Sequence, residues 1–223
     1  RMIIAIDGPA ATGKSTTAKA LAQRLAFTYL DTGAMYRAVT LLTLRKKIKI
    51  SENSDLISLL ERFDLKIEQH ENKILVILNG EDVSDEIRRL DVTENVSEVS
   101  ALSIVRKTLV KIQRKVANDQ NCVVEGRDIG TVVFPNAEVK FYVVADYDVR
   151  AKRRLLDFKR LGEEKSIDNL IEEIKNRDKY DSERKDSPLL KANDAIEVDT
   201  TNMTIEQQVD TMYKKIKLIE GKK

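Results

Sequence analysis

Met2-Ile3-Ile4-Ala5-Ile6-Asp7-Gly8-Pro9-Ala10-Ala11-Thr12-Gly13-Lys14-Ser15 is the stretch whose reading decides the fold. Met2 to Asp7 is an apolar run of strand length. Gly8 to Ser15 then matches G-x-x-x-x-G-K-S/T in full, and from Lys14 to Ala26 the apolar residues Ala18, Leu21, Ala22 and Leu25 recur at helical spacing. A buried strand, a glycine-bearing loop and a helix, in that order, open a parallel α/β sheet. The same order specifies chemistry. Backbone N–H groups of the loop and the helix N-terminus point at phosphate oxygens, while small residues keep the turn clear of side chains. Lys14 reaches the β- and γ-phosphates of a nucleoside triphosphate, and the Ser15 hydroxyl is placed to ligate Mg2+. Gly8, Pro9, Ala10, Ala11, Thr12, Gly13, Lys14 and Ser15 are therefore the candidate ATP-binding loop. Ala11 stands where some such loops carry glycine, which leaves that peptide less conformational freedom.

Outward from the loop, Thr28 to Leu30 reads as a second short strand and Thr32 to Leu44 as a helix. Leu65-Lys66-Ile67 and Ile74 to Leu78, separated by polar Glu68 to Lys73 and closed by Asn79-Gly80, carry a hairpin signal that belongs to an antiparallel element. Helical patterning is expected from Val92 to Asn118, and core strands at Cys122 to Glu125 and Val139 to Ala145. Charged helices follow at Asp148 to Leu161 and Ile167 to Tyr180, then a last strand at Ala195 to Val198 and a closing helix at Ile205 to Leu218. The expected architecture is an α/β P-loop kinase core with a parallel sheet flanked by helices. Core segments fall at 1–60, 93–147 and 187–223, a small β insertion at 61–92 and a helical lid at 148–186.

Composition narrows the partners. The 223 residues hold 39 basic and 37 acidic side chains, a net charge of +2, so no general basic surface for nucleic acid is built. Aromatic residues make up 5% with no Trp, which disfavours base-stacking platforms. No stretch reaches the roughly 18 apolar residues of a membrane span, and no signal peptide is visible, so a cytoplasmic monomer acting on small molecules is expected. Cys122, the only cysteine, lies in an apolar run and reads as an inert buried thiol. The single histidine, His70, reads as a surface residue of the insertion.

A phosphate loop alone does not separate kinases from nucleotide-driven switches, and four further segments carry that decision. Leu30-Asp31-Thr32-Gly33-Ala34-Met35-Tyr36-Arg37 opens a helix with Asp31 or Thr32 at its cap and Arg37 beyond, a phosphate cradle. Glu125-Gly126-Arg127-Asp128-Ile129-Gly130-Thr131 begins at the carboxyl end of an apolar strand, where open α/β sheets bind ligands. Arg150, Arg153 and Arg154 share one helical face and repel each other unless an anion lies there, for which ATP phosphates are a candidate. Arg177, Asp181 and Arg184 fall at i, i+4 and i+7, a face able to bind ribose hydroxyls through Asp181 and phosphate through Arg184. Phosphoryl transfer calls for this arginine surplus, because negative charge spreads over the transferred group and two anionic substrates must meet end to end.

Together these segments resemble the bacterial-type cytidylate kinases, a branch of the nucleoside monophosphate kinases. The resemblance runs through Gly8-Pro9, Gly13-Lys14-Ser15-Thr16, Asp31 to Arg37, Gly80-Glu81-Asp82-Val83-Ser84, Glu125 to Pro135 and Ser187-Pro188-Leu189. It implies that ATP, with Mg2+, donates its γ-phosphoryl group to CMP or dCMP. Thr16 would join the ATP loop. Thr32, Tyr36, Arg37 and Arg127 would lie at the acceptor, with Thr32, Arg37 and Arg127 on its phosphate. Ser97, Arg106 and Asp128 would contact cytosine, and Arg177 and Asp181 the sugar. Arg184 would sit near the phosphates, and Arg150, Arg153 and Arg154 would belong to the lid. Lys14, Arg127, Asp128, Arg153 and Arg184 form the expected catalytic set. Thr32 keeps the hydroxyl of the Ser found in some members and adds a methyl. A kinase for uridylate or shikimate, or an ATP-driven switch, remains the alternative at this level; no guanine-reading N-K-x-D motif is present.

Overall fold

The computed structural model describes residues 1–70, 73–160 and 162–221. Leu161, the expected end of the first lid helix, and Glu71 and Asn72 of the expected hairpin loop lie outside the described residues. The chain divides into two compact units, Arg1–Tyr29 with Asp119–Lys223, and Leu30–Asn118. The β insertion expected over 61–92 thus falls inside the second unit.

In the first unit β1, Ile3–Asp7, is buried at every residue. A strand covered on both faces needs an unbroken apolar run rather than alternation, which is what Ile3 to Ile6 supply. Parallel neighbours lie on both sides: β6, Cys122–Gly126, in register from Ile3↔Cys122 to Asp7↔Gly126, and β7, Val139–Val144, from Ile4↔Val139 to Asp7↔Tyr142. With β2, Thr28–Asp31, and β8, Ile196–Asp199, the sheet order is β2-β6-β1-β7-β8. Because β1 and β6 end together, the loops after Asp7 and Gly126 leave from the same edge of the sheet.

Helix α1, Lys14–Leu25, buries Ala18, Leu21 and Ala22 and ends where Ala26 turns left-handed at φ 55°. The closing helix α8, Ile205–Glu220, packs on it through Val209, Met212 and Ile216, and starts with a capping box between Thr204 and Gln207. Each fully buried aliphatic side chain of this kind contributes about 1.5–3 kcal/mol. Helices α6, Tyr147–Arg160, and α7, Ile167–Glu183, pack against each other.

The second unit holds α2, Thr32–Arg45, α3, Ser54–Arg62, and a small antiparallel sheet of β3, Leu65–Gln69, β4, Ile74–Leu78, and β5, Glu81–Asp82. Asn79 and Gly80, at φ 51° and 85°, form the turn between β4 and β5, so their hairpin signal belongs to that pair. Helices α4, Leu90–Ala101, and α5, Ser103–Val116, follow. A single helical run from Val92 to Asn118 is the sequence expectation; the chain instead breaks at Leu102, which is extended at ψ 124°. Arg106 of α5 donates to the Ser100 carbonyl at 3.0 Å, and so satisfies the exposed end of α4 where no glycine or proline marks it.

Candidate active site

The phosphate loop is shaped by what packs behind it. Gly8 sits at φ 152°, and a Cβ there would stand 2.3 Å from the Val143 carbonyl oxygen, so no other residue fits. Gly13 is left-handed at φ 88° and leads into α1, whose first turn carries no acidic residue to compete with an anion. Ala11 adopts φ 60° despite its Cβ, so the loop keeps its shape at a local conformational cost. Lys14 is buried and its Nζ donates to the Pro9 carbonyl at 3.2 Å, as does the Thr12 hydroxyl.

The loop carbonyls are held from outside. Arg150 Nε donates to Ala10 O at 2.8 Å, and Arg153 Nη1 to Thr12 O at 2.9 Å. Thr200, just after β8, adds its hydroxyl to Thr12 O at 2.7 Å and accepts from both Arg153 nitrogens. The repulsion expected along the Arg150 face is relieved by a carboxylate of the protein: Arg150 makes two bonds to Asp178, at 2.6 and 2.7 Å. Arg154 lies 4.9 Å from the Phe158 ring centroid.

Ser15 and Thr16 are exposed on the first turn of α1. The Ser15 hydroxyl donates to Glu125 Oε2 at 2.8 Å, and the Tyr29 hydroxyl to Glu125 Oε1 at 2.5 Å. Glu125 is buried at the end of β6. A hydroxyl on the phosphate-loop helix beside a strand-end carboxylate is the donor set that holds a hydrated magnesium ion against triphosphate oxygens, so these residues fit the ion.

Beyond Glu125 the chain turns through Gly126 to Arg127 and buried Asp128, then makes a single π-helical turn, Ile129–Val133. Arg127 Nε donates to Asp181 Oδ2 at 3.1 Å. Arg184 reaches Asp181 at 4.0 Å and donates from Nε to the Ser187 carbonyl at 2.7 Å. Burial alone would raise the Asp181 carboxyl, but the charges of Arg127, Arg177 and Arg184 outweigh it and hold the group below the ordinary range. One buried carboxylate among three guanidiniums leaves a positive excess, which is the electrostatic basis for an anion site.

In the second unit Asp31 caps α2 by accepting from Ala34 N at 2.9 Å, leaving Thr32 buried in the first turn. Arg37 donates to the Thr93 hydroxyl at 2.9 Å and the Ile87 carbonyl at 3.2 Å. Arg106 is buried with its guanidinium 5.1 Å from the Tyr36 ring centroid. The Ser97 carbonyl accepts from the Ser100 hydroxyl at 3.0 Å. Tyr36 and Arg106 are brought together from α2 and α5.

The sequence model of the cytidylate kinase family matches residues 4–218. The chain belongs to the cytidylate kinase family. It is 46% identical to a cytidylate kinase of Fusobacterium nucleatum over 98% of this chain and 99% of that one. Identity to the cytidylate kinase of Halalkalibacterium halodurans is 45%, over 97% and 98%. Among solved structures, a shikimate kinase from Bacteroides thetaiotaomicron has a TM-score of 0.50 at 14% identity, covering 97% of this chain and 98% of that one, a likeness of fold alone.

For a cytidylate kinase family member, Glu125 is the residue that motif reading passes over. It begins the E-G-R-D-I-G segment, yet its partner Ser15 lies 110 positions away and is reached only because β6 pairs beside β1. A carboxylate closing an apolar strand next to the phosphate-loop strand is the signal that finds it. Thr200 and Gln208 are further cases. The Gln208 side chain is fully buried and accepts from the Thr17 hydroxyl, and its Oε1 is 3.2 Å from where a Gly13 Cβ would stand.

Proposed function

We propose that this chain transfers the γ-phosphoryl group of ATP to CMP or dCMP, giving ADP and CDP or dCDP. The observation that carries the reading is the common edge of β1 and β6. The phosphate loop leaves one strand, and Arg127 with Asp128 leaves the other, with Arg127, Arg177 and Arg184 gathered round Asp181.

Loop N–H groups and Lys14 hold the ATP phosphates. Lys14 exchanges its Pro9 contact for phosphate oxygens, an exchange of one acceptor for a charged and stronger one. Ser15 and Glu125 would hold magnesium, which would supply positive charge to neutralise the ATP phosphates. Arg150 and Arg153 fix the loop from its carbonyl side, so their part is to keep the cradle in its binding shape. Arg127 and Arg184 stabilise the charge that develops on the transferred group, and Arg177 and Asp181 bind the acceptor sugar.

Asp128 accepts from the exocyclic amine of cytosine, where uracil would present a carbonyl oxygen against a buried carboxylate. Such a mismatch is worth orders of magnitude in discrimination. Arg106 donates to the acceptor atoms of the base with Ser97 beside it, and Thr32 and Arg37 bind the acceptor phosphate.

Incubation with γ-labelled ATP and CMP tests the reaction class. The label should appear in CDP, with little in inorganic phosphate, and Lys14→Ala should abolish the transfer. Label appearing in inorganic phosphate at the same rate with or without CMP would instead fit an ATP-driven switch.

A further inference from the structure

The π-helical turn Ile129–Val133 is built round a group that the phosphoryl-transfer chemistry leaves unused. Asp7, the last residue of β1, is 4% exposed, and its two carboxylate oxygens accept separate backbone protons: Oδ1 from Ile129 N at 2.8 Å and Oδ2 from Gly130 N at 2.7 Å. Those are the first two amides of the turn, whose internal bonds begin only at Val132 N. The turn closes on itself through Val133 N to the Asp128 carbonyl at 3.1 Å and Phe134 N to the Ile129 carbonyl at 2.7 Å. Asp128 is its capping residue, at φ −142° and ψ 23°, and Arg127 immediately precedes it.

Gly130 is part of the arrangement. A Cβ there would lie 3.0 Å from Lys140 Cδ, so that side chain would have to give way, and it would touch Asp7 Oδ2 at 3.4 Å. Single π-turns are rare and costly and concentrate at functional sites, where something outside the helix must over-determine them. Here that something is the Asp7 carboxylate.

We infer that Asp7 is a positioning residue for the acceptor: its carboxylate, by holding the Ile129 and Gly130 amides, sets the turn that presents Arg127 and Asp128. Because Asp7 also directly precedes Gly8, one rigid strand end fixes both the start of the ATP loop and the acceptor-reading loop. The inference rests on Arg127 and Asp128 acting on the acceptor, as proposed above. Asp7 is kept buried against its own solvation. Burial pushes its carboxyl up to about 6, against the two amides that lower it, with Asp128 raising it and Lys14 lowering it.

The test compares Asp7→Asn with Asp128→Ala. Asparagine keeps the shape but turns one of the two acceptors into an NH2 group facing an amide proton. Expected for Asp7→Asn is a 10- to 100-fold fall in kcat/KM for CMP, the scale of a misplacement near 1 Å. KM for Mg·ATP should stay within about twofold, an allowance of about 0.4 kcal/mol by the tenfold-per-1.4 rule. Protection from hydrogen exchange should be lost at Ile129 or Gly130 in the unliganded protein, with no lowering of thermal stability at neutral pH. An equal fall for ATP and CMP, or a loss of stability that accounts for the whole effect, overturns the inference. So does an unchanged Asp7→Asn beside an impaired Asp128→Ala, which leaves the acceptor reading standing. If neither variant affects CMP, the acceptor reading fails and the inference fails with it. Should Asp7→Asn not fold at the assay temperature, Asp7→Glu serves. It keeps the charge but cannot place both oxygens at the same reach, and the same split between substrates is expected.

Discussion

Ser15 and Glu125 meet at 2.8 Å, hydroxyl to carboxylate, across the gap between the phosphate-loop helix and the neighbouring strand. The contact joins residues 110 positions apart, and it exists because β1 and β6 run parallel in register to their last residues, Asp7 and Gly126. It places a buried negative group behind the one hydroxyl of the loop suited to a divalent cation.

Glu125→Gln is therefore expected to raise the magnesium concentration needed for half-maximal activity about 10- to 100-fold, the usual cost of losing a supporting partner of a metal site. The amide keeps the volume and can still accept from Tyr29. A magnesium titration that superimposes on that of the unaltered protein would remove Glu125 from the metal site.

Arg150 and Asp178 are predicted to be coupled in stability. The guanidinium side chain is 3% exposed and the carboxylate 17%, and the pair shares two short bonds. Removing one partner of such a buried pair strands the other, at a cost of about 3–5 kcal/mol. Urea unfolding of Asp178→Ala should show a loss of that order, together with a raised KM for Mg·ATP, because Arg150 also holds the Ala10 carbonyl. The double variant with Arg150→Met should be less destabilised than the two singles summed. Strict additivity would mean the pair contributes nothing jointly.

Much of this was legible in the sequence, and the misses share a cause. Gly8 to Ser15 and Glu125 to Thr131 announce themselves because their chemistry is written in consecutive residues. Arg177, Asp181 and Arg184 are legible as a helical face, but the Arg127 that completes their cluster is 54 positions from Asp181. The carboxylate paired with Arg150 is Asp178, from a different helix, which spacing along α6 alone does not reveal. Leu102 breaks a continuous helical pattern without glycine or proline, because a tertiary bond from Arg106 replaces the local signal. The π-turn after Asp128 likewise depends on Asp7, more than a hundred residues away. Local pattern specified elements and motifs; the pairings that position the site arise between strands and helices.

The pH dependence of stability carries a signature of Asp7. Its folded value of about 6 lies above the ordinary 3.8 of an aspartate, so between those limits the native state keeps a proton that the unfolded chain has lost. Stability from this group is full below about 4 and falls as pH rises through about 6, by on the order of 2–3 kcal/mol. Lys14 on α1, Asp128 before the π-turn and Tyr142 on β7 face the same carboxylate. Subtracting the profile of Asp7→Asn from that of the unaltered protein isolates the Asp7 contribution. A difference profile flat from pH 4 to 7 would contradict the raised value.

Cys122 is fully buried on β6, and burial pushes its thiol up to about 11. A neutral thiol without access is a poor nucleophile. Iodoacetamide at about pH 7.5, well below that value, should label the folded protein only as fast as it unfolds. Rapid labelling under native conditions would show that β6 opens locally.

The most direct measurement is the steady-state kinetics of ADP formation from Mg·ATP with CMP, dCMP, UMP, AMP and shikimate as parallel acceptors, repeated with Asp128→Ala. The account predicts that kcat/KM is highest for CMP or dCMP, exceeds that for UMP by at least about tenfold, and that Asp128→Ala erases the cytosine preference or abolishes turnover. Equal use of UMP by the unaltered protein, or an Asp128→Ala variant with its cytidylate preference intact, would contradict it.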